Sequence, residues 1–276
     1  MCRIARIHLP TLRDGMRQTQ KNINSLVTTN TTKPNFFLLG AGRCGSTTLY
    51  SMLRQHPQIF MPDIKEPSHF CSYFQVVKDP VSYFQLFNPV EGQTAIGEAS
   101  HVYLSNPESA PVIHTLFPKA RFILILRSPT ERAYSLYQWT RKANLEPCET
   151  FEEALEVEGQ RYVNADFFNK CPQYFWNFMY VRSSYFDVQW ARYLRFYSPE
   201  QFFVLSLNEL VANPVHWMQQ IFRFLDVDSS FIPAIRHLNA RECTPMLAET
   251  KQRLDSHFKA TVAATNALAG RDLHLD

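Results

Sequence analysis

The chain has no run of about 18 consecutive apolar residues, the length a helix needs to cross a bilayer, and its first residues lack the apolar core of a secretory signal. These absences make a soluble, cytoplasmic protein the expectation. No cysteine pair has CxxC spacing, and no His/Cys cluster has zinc-ligand spacing, so no metal is expected. The six cysteines, at 2, 44, 71, 148, 171 and 243, are read as reduced thiols. A Cys148 to Cys171 bridge stays open. A large charge of one sign is also missing: the net charge is only +3. Residues 1–34 carry +5 of it, leaving −2 on the remainder, which speaks against a nucleic-acid-binding body. Residues 1–34 are read as a flexible basic leader. An acidic-surface tail or a transit-peptide-like segment are the alternatives.

What is present is ample core material, 45% hydrophobic and 14% aromatic in 276 residues, enough for one large domain over 35–276. Short apolar runs rich in Phe, Ile, Leu and Val alternate with helical patterns. This predicts a single α/β domain with a mainly parallel sheet flanked by helices. The expected strands are 36–40, 94–98, 121–127 and 201–207. Helices are expected over 46–56, 129–142, from 150 behind a Thr150/Glu153 capping box, and over 214–225 behind Asn213-Pro214. The aromatic stretch 174–197 reads as one long helix with Tyr185, Trp190, Tyr193 and Leu194 directed inward.

The first strand runs into FFLLGAGRCGSTT, residues 36–48. Gly40 and Gly45 have the spacing of a P-loop and Thr47 has its hydroxyl position, but Ser46 stands where the phosphate-binding lysine belongs. Arg43 is the only nearby cation. A glycine-rich turn from strand to helix presents unpaired N–H groups and the positive end of a helix dipole, and hence an anion site. No strand ending in Asp is evident to position Mg²⁺. The missing lysine and the missing aspartate together disfavour an NTPase. The turn is P-loop-like, and Gly42, Arg43, Cys44, Gly45, Ser46 and Thr47 are its candidate ligand-binding residues. A second cluster follows the third strand, in RSPTERAYSLY, where Arg127, Arg132 and Ser135 lie just beyond the strand end. Two anion sites at neighbouring strand tips fit a nucleotide with phosphates at two separate positions.

GAGRCGSTTLYSMLRQHPQI, KEPSHF and RSPTERAYSLY resemble, in order and spacing, the motifs of the sulfotransferase family, particularly its carbohydrate branch, such as the heparan sulfate enzymes. The similarity continues weakly through YLRFYSPEQFFVLSLNELVANP and PMLAETKQRLDSHF, so that it covers roughly residues 35–272. The resemblance implies 3′-phosphoadenosine 5′-phosphosulfate (PAPS) as sulfuryl donor and adenosine 3′,5′-bisphosphate (PAP) as product. It implies that the first loop holds the 5′-phosphosulfate, while Arg127 and Ser135 hold the 3′-phosphate. It also makes Glu66 of KEPSHF the base for an acceptor hydroxyl or amine. The plainer reading of Glu66 is a surface carboxylate paired with Lys65. His69 is the second candidate base, since an imidazole titrates near neutrality. Relatives often carry a lysine at the position of Ala99 and a proline at that of His101, which leaves a heparan-like acceptor open. Glu98 and His101 are read as acceptor-side groups or as strand-end packing. Arg241 falls where relatives close a basic loop over the nucleotide. The acceptor is open among carbohydrates, small-molecule alcohols, lipids, phenols and peptides. The rival functions are a P-loop kinase of a small molecule and a non-catalytic nucleotide-binding module.

Overall fold

The structure, a computed structural model, describes residues 32–235 and 245–276. Five strands, β1 (Phe36–Gly40), β2 (Ile59–Phe60), β3 (Ala95–Ala99), β4 (Arg121–Leu126) and β5 (Phe202–Ser206), form one sheet in the order β2-β3-β1-β4-β5, and every pairing is parallel. The four expected strands are there within a residue or so of their expected ends. The two-residue β2 is added at one edge, too short to leave a pattern in the sequence.

The alternation of side chains along β1 sends Phe36 and Leu38 to one face and Phe37 and Leu39 to the other. On the first face, Leu49, Met52 and Leu53 of helix Ser46–Leu53 pack with Ile221 and Phe222 of helix Pro214–Phe224. On the other, Val102 to Leu104 and Ile113 cover Phe37 and Phe122, whose rings stack at 5.9 Å. The chain therefore leaves β1 toward one face and leaves β3 toward the other. Such a divergence opens a crevice beyond the carboxyl ends of the strands, where doubly wound sheets bind their ligands.

Helix Pro129–Lys142 has the expected bounds, and Thr150 and Glu153 do form a capping box. Asn213 caps Pro214–Phe224, accepting the His216 N–H at 3.2 Å. The helix beginning at Ser46 stops at Leu53, earlier than expected. The stretch 174–197 is not one helix. It breaks into 3₁₀ turns Phe175–Phe178 and Arg182–Ser184 and a helix Phe186–Tyr193. The cause is distant in sequence: the Glu158 carboxylate accepts the N–H groups of Val181 at 2.8 Å and Arg182 at 3.1 Å, taking donors that a continuous helix would use internally. Trp190 and Tyr193 are nonetheless buried as expected. Cys148 and Cys171 are both free thiols, so the bridge left open above is not made.

Candidate active site

The loop after β1 is held from behind. Ala41 N–H donates to Ile125 O at 2.7 Å, and Arg132 Nε donates to Gly42 O at 3.1 Å. Two glycines are required by close approach. A Cβ on Gly42 would lie 2.6 Å from the His101 ring, and one on Gly45, at φ +94°, would lie 2.7 Å from Leu207. Cys44 faces the core. Its N–H bonds Ala41 O at 3.2 Å, and burial pushes its thiol up to about 11 against the opposing pull of Arg132, Arg127 and Arg43. Cys44 therefore anchors the turn and offers no side chain to a ligand.

A cavity of about 270 Å³ opens beside the loop, lined by Arg43, Gly45, Ser46 and Thr47 together with Arg127 and Ser135. Its other wall is apolar, built from Leu207, Leu210 and Val211. Arg43 Nε donates to Ser135 Oγ at 3.3 Å, across 92 residues of sequence. The first loop and the second motif therefore meet in one cleft. Arg127 stands at the tip of β4, ion-paired with Glu131, and its buried Nε has no partner among the described residues. Arg132, which the sequence grouped with Arg127 and Ser135, turns inward instead. It is 3% exposed and bonds the hydroxyls of Ser183 and Ser184. Burial lowers its pKa to about 10, so it stays charged at neutral pH.

Glu66 lies on the adjoining loop, its N–H bonded to Ala99 O at 2.9 Å. Its Oε2 accepts from both the backbone N–H and Nδ1 of His101, each at 2.8 Å, while Oε1 takes the Lys65 ammonium. Burial alone would raise its pKa, but His101 and Lys65 outweigh that and hold it near 2. The pairing with Lys65 is thus real, and His101 is added to it. A carboxylate so firmly held is a weak proton acceptor. It holds Nδ1 of His101, whose ring lies over Gly42, and so orients the imidazole. His69 is elsewhere: buried, stacked on Tyr83 at 4.5 Å, with Nδ1 on Val77 O at 2.9 Å. Burial lowers its pKa, and its place is the core. Glu98 is buried beneath Glu66, where Tyr83 and Tyr103 donate to Oε2 at 2.9 and 3.0 Å and burial raises its pKa to about 7. Arg241 lies outside the described residues.

The fold and the cleft define an α/β protein with a glycine-rich strand–loop–helix, lined by Arg43 and Arg127, at the centre of a parallel sheet. A family model described as "Sulfotransferase domain" matches residues 33–259, and the chain belongs to the sulfotransferase family. This removes the kinase reading. The chain is similar to the crystal structure of a sulfotransferase from Alicyclobacillus acidocaldarius, with 30% identity and a TM-score of 0.77, covering 88% of this chain and 98% of that one. It is 25% identical to a membrane-associated sulfotransferase of Dictyostelium discoideum, over 87% of this chain and 66% of the relative. It is 28% identical to carbohydrate sulfotransferase 15 of Mus musculus, over 70% of this chain and 44% of the relative. The chain thus spans two thirds or less of the length of these curated relatives. Among the described residues no helix is long and apolar enough to cross a membrane.

Proposed function

We propose that the protein transfers the sulfuryl group of PAPS to an acceptor hydroxyl or amine, with a carbohydrate as the first acceptor class to test. The observation that carries this reading is the meeting of Arg43, Arg127 and Ser135 around a single cavity, since one nucleotide bearing two separate anionic groups needs two adjacent cationic tips. Arg43, Ser46 and Thr47 hold the 5′-phosphosulfate, and Arg127 and Ser135 hold the 3′-phosphate. As the bond from sulfur to the 5′-phosphate oxygen breaks, negative charge grows on that oxygen. Arg43, a permanently charged fork, binds it more tightly then than before. The acceptor oxygen attacks sulfur in line and gives its proton to His101 Nε2. The Glu66 carboxylate holds the imidazole in position and stabilises the imidazolium that forms. The carbohydrate assignment draws on the name of the mouse relative and on the motif resemblance.

The test is incubation with PAPS labelled in the sulfuryl group and an acceptor panel of polysaccharides, phenols, alcohols and amines, read by mass spectrometry. Transfer to a sugar hydroxyl or amine is expected. Tight binding of the bisphosphate nucleotide with no transfer to any acceptor would instead make the protein a nucleotide-binding module.

A further inference from the structure

Among the described residues, three helices begin with a serine or threonine followed three residues later by glutamate: Ser128 and Glu131, Thr150 and Glu153, Ser206 and Glu209. In such a box the hydroxyl accepts the third N–H of the helix and the glutamate returns to the N–H of the capping residue. Two of the boxes are closed. Glu153 accepts the Thr150 N–H at 3.2 Å, and Glu209 accepts the Ser206 N–H at 2.8 Å. The third is half made. Ser128 Oγ accepts the Glu131 N–H at 3.4 Å, but the Glu131 carboxylate goes to the Arg127 guanidinium. Glu209 closes its box while pairing with Arg271, so an ion pair does not by itself open one. Two of the three boxes border the cleft, and the one that stays open is the one whose glutamate pairs with the cavity-lining Arg127.

We propose that Glu131 is a built-in competitor for Arg127: its carboxylate holds the guanidinium before nucleotide binds, yields it to the entering 3′-phosphate, and swings back to the Ser128 N–H to close the helix cap. This rests on the nucleotide reading given above. The Glu131 side chain is 51% exposed and so can move without disturbing the core, whereas Arg127 is 23% exposed and remains in place to receive either anion. Closing the box returns part of what breaking the ion pair costs. The apparent affinity for nucleotide is reduced by the fraction of molecules in which Glu131 keeps Arg127. The same competition helps the product leave, since the carboxylate reclaims the guanidinium as the 3′-phosphate departs. A nucleotide without a 3′-phosphate gains nothing from displacing Glu131, so the device favours the bisphosphate.

The experiment is calorimetric titration of the full chain with PAP and with adenosine 5′-monophosphate, for the wild type, Glu131→Gln and Glu131→Ala. Glutamine can reach the Ser128 N–H but cannot hold Arg127 as an ion pair; alanine can do neither. Both variants should bind PAP about two- to fivefold more tightly, the range expected for removing a partly exposed ion pair, with the monophosphate unchanged. Thermal unfolding without nucleotide should separate them, since only the glutamine variant has a side chain that can close the box. Unchanged or weaker PAP binding in both variants would overturn the competitor role while leaving the proposed function standing. A wild type that binds the two nucleotides equally would overturn both.

Discussion

Two groups of charged side chains in this molecule use the same residue types to opposite ends. Behind helix Pro129–Lys142, Glu146 is fully enclosed. Its carboxylate takes both terminal nitrogens of Arg161 at 2.6 Å, the Tyr180 hydroxyl at 2.6 Å and the Cys148 N–H at 2.9 Å. Burial pushes its pKa up, but Arg161 and Tyr180 prevail and hold it near 2. That group closes on itself. At the sheet's carboxyl edge, Arg43, Arg127 and Ser135 meet around a cavity, and the buried Nε of Arg127 is unmatched within the described residues. Charge satisfied within the fold specifies the fold. The second group, unlike the first, borders open space, which makes it the candidate for binding a ligand.

The largest effect that would break this contrast lies in the Glu66 and His101 pair. His101→Asn or Glu66→Gln should lower turnover by about 10²- to 10⁴-fold with nucleotide affinity retained. Steady-state rates beside a PAP titration check this, and full activity in both variants would move the base elsewhere. Arg43→Ala follows, with turnover down about 10²- to 10³-fold and the melting temperature nearly unchanged, since the side chain is exposed. The closed network should behave in reverse. Glu146→Ala leaves Arg161 buried without its counter-charge and should cost about 3–5 kcal/mol in denaturant unfolding, while turnover per folded molecule is kept.

Acid sharpens the same distinction. The Glu66 pKa is held near 2 in the folded state, below its ordinary 4.5, so its stabilising contribution is full above about 4.5 and is lost as pH falls toward 2. In Glu66→Gln that component is missing, and unfolding free energies of variant and wild type should converge across this window. The smallest effect is expected from Ser135→Ala. It removes one hydroxyl from a charged ligand and should weaken PAP binding by about tenfold, read by calorimetry.

Much of the fold was legible because local chemistry dictated it. FFLLG and RFILIL are short apolar runs that form buried central strands, and FFVLS, half-buried over its first three residues, forms the edge strand beside them. The Thr150 box and the Asn213 cap were equally local. What escaped depended on partners distant in sequence. The break in 174–197 comes from Glu158, and the inward turn of Arg132 comes from hydroxyls at 183 and 184. The candidate site divides in the same way. The loop glycines and Arg43 are visible from spacing, and Arg127 and Ser135 are picked out by the motif resemblance. The attachment of Glu66 to His101 needs residues 35 apart in sequence brought together by the Glu66 N–H on Ala99 O. His69, only three residues from Glu66, is a core residue because Phe70 and Tyr83 enclose it. The imidazole's general titration near neutrality made it a candidate; packing against Phe70 and Tyr83 places it in the core.

The most direct test of the claim that two cationic strand tips share one nucleotide is titration of PAP, in the presence of a chelator, into the wild type and Arg127→Ala. The account predicts metal-independent binding that falls by about ten- to a hundredfold in the variant, the range for losing a charge-assisted contact, while adenosine 5′-monophosphate binds both proteins alike. Equal PAP affinity in the two proteins, or binding that appears only with ATP and Mg²⁺, would contradict it.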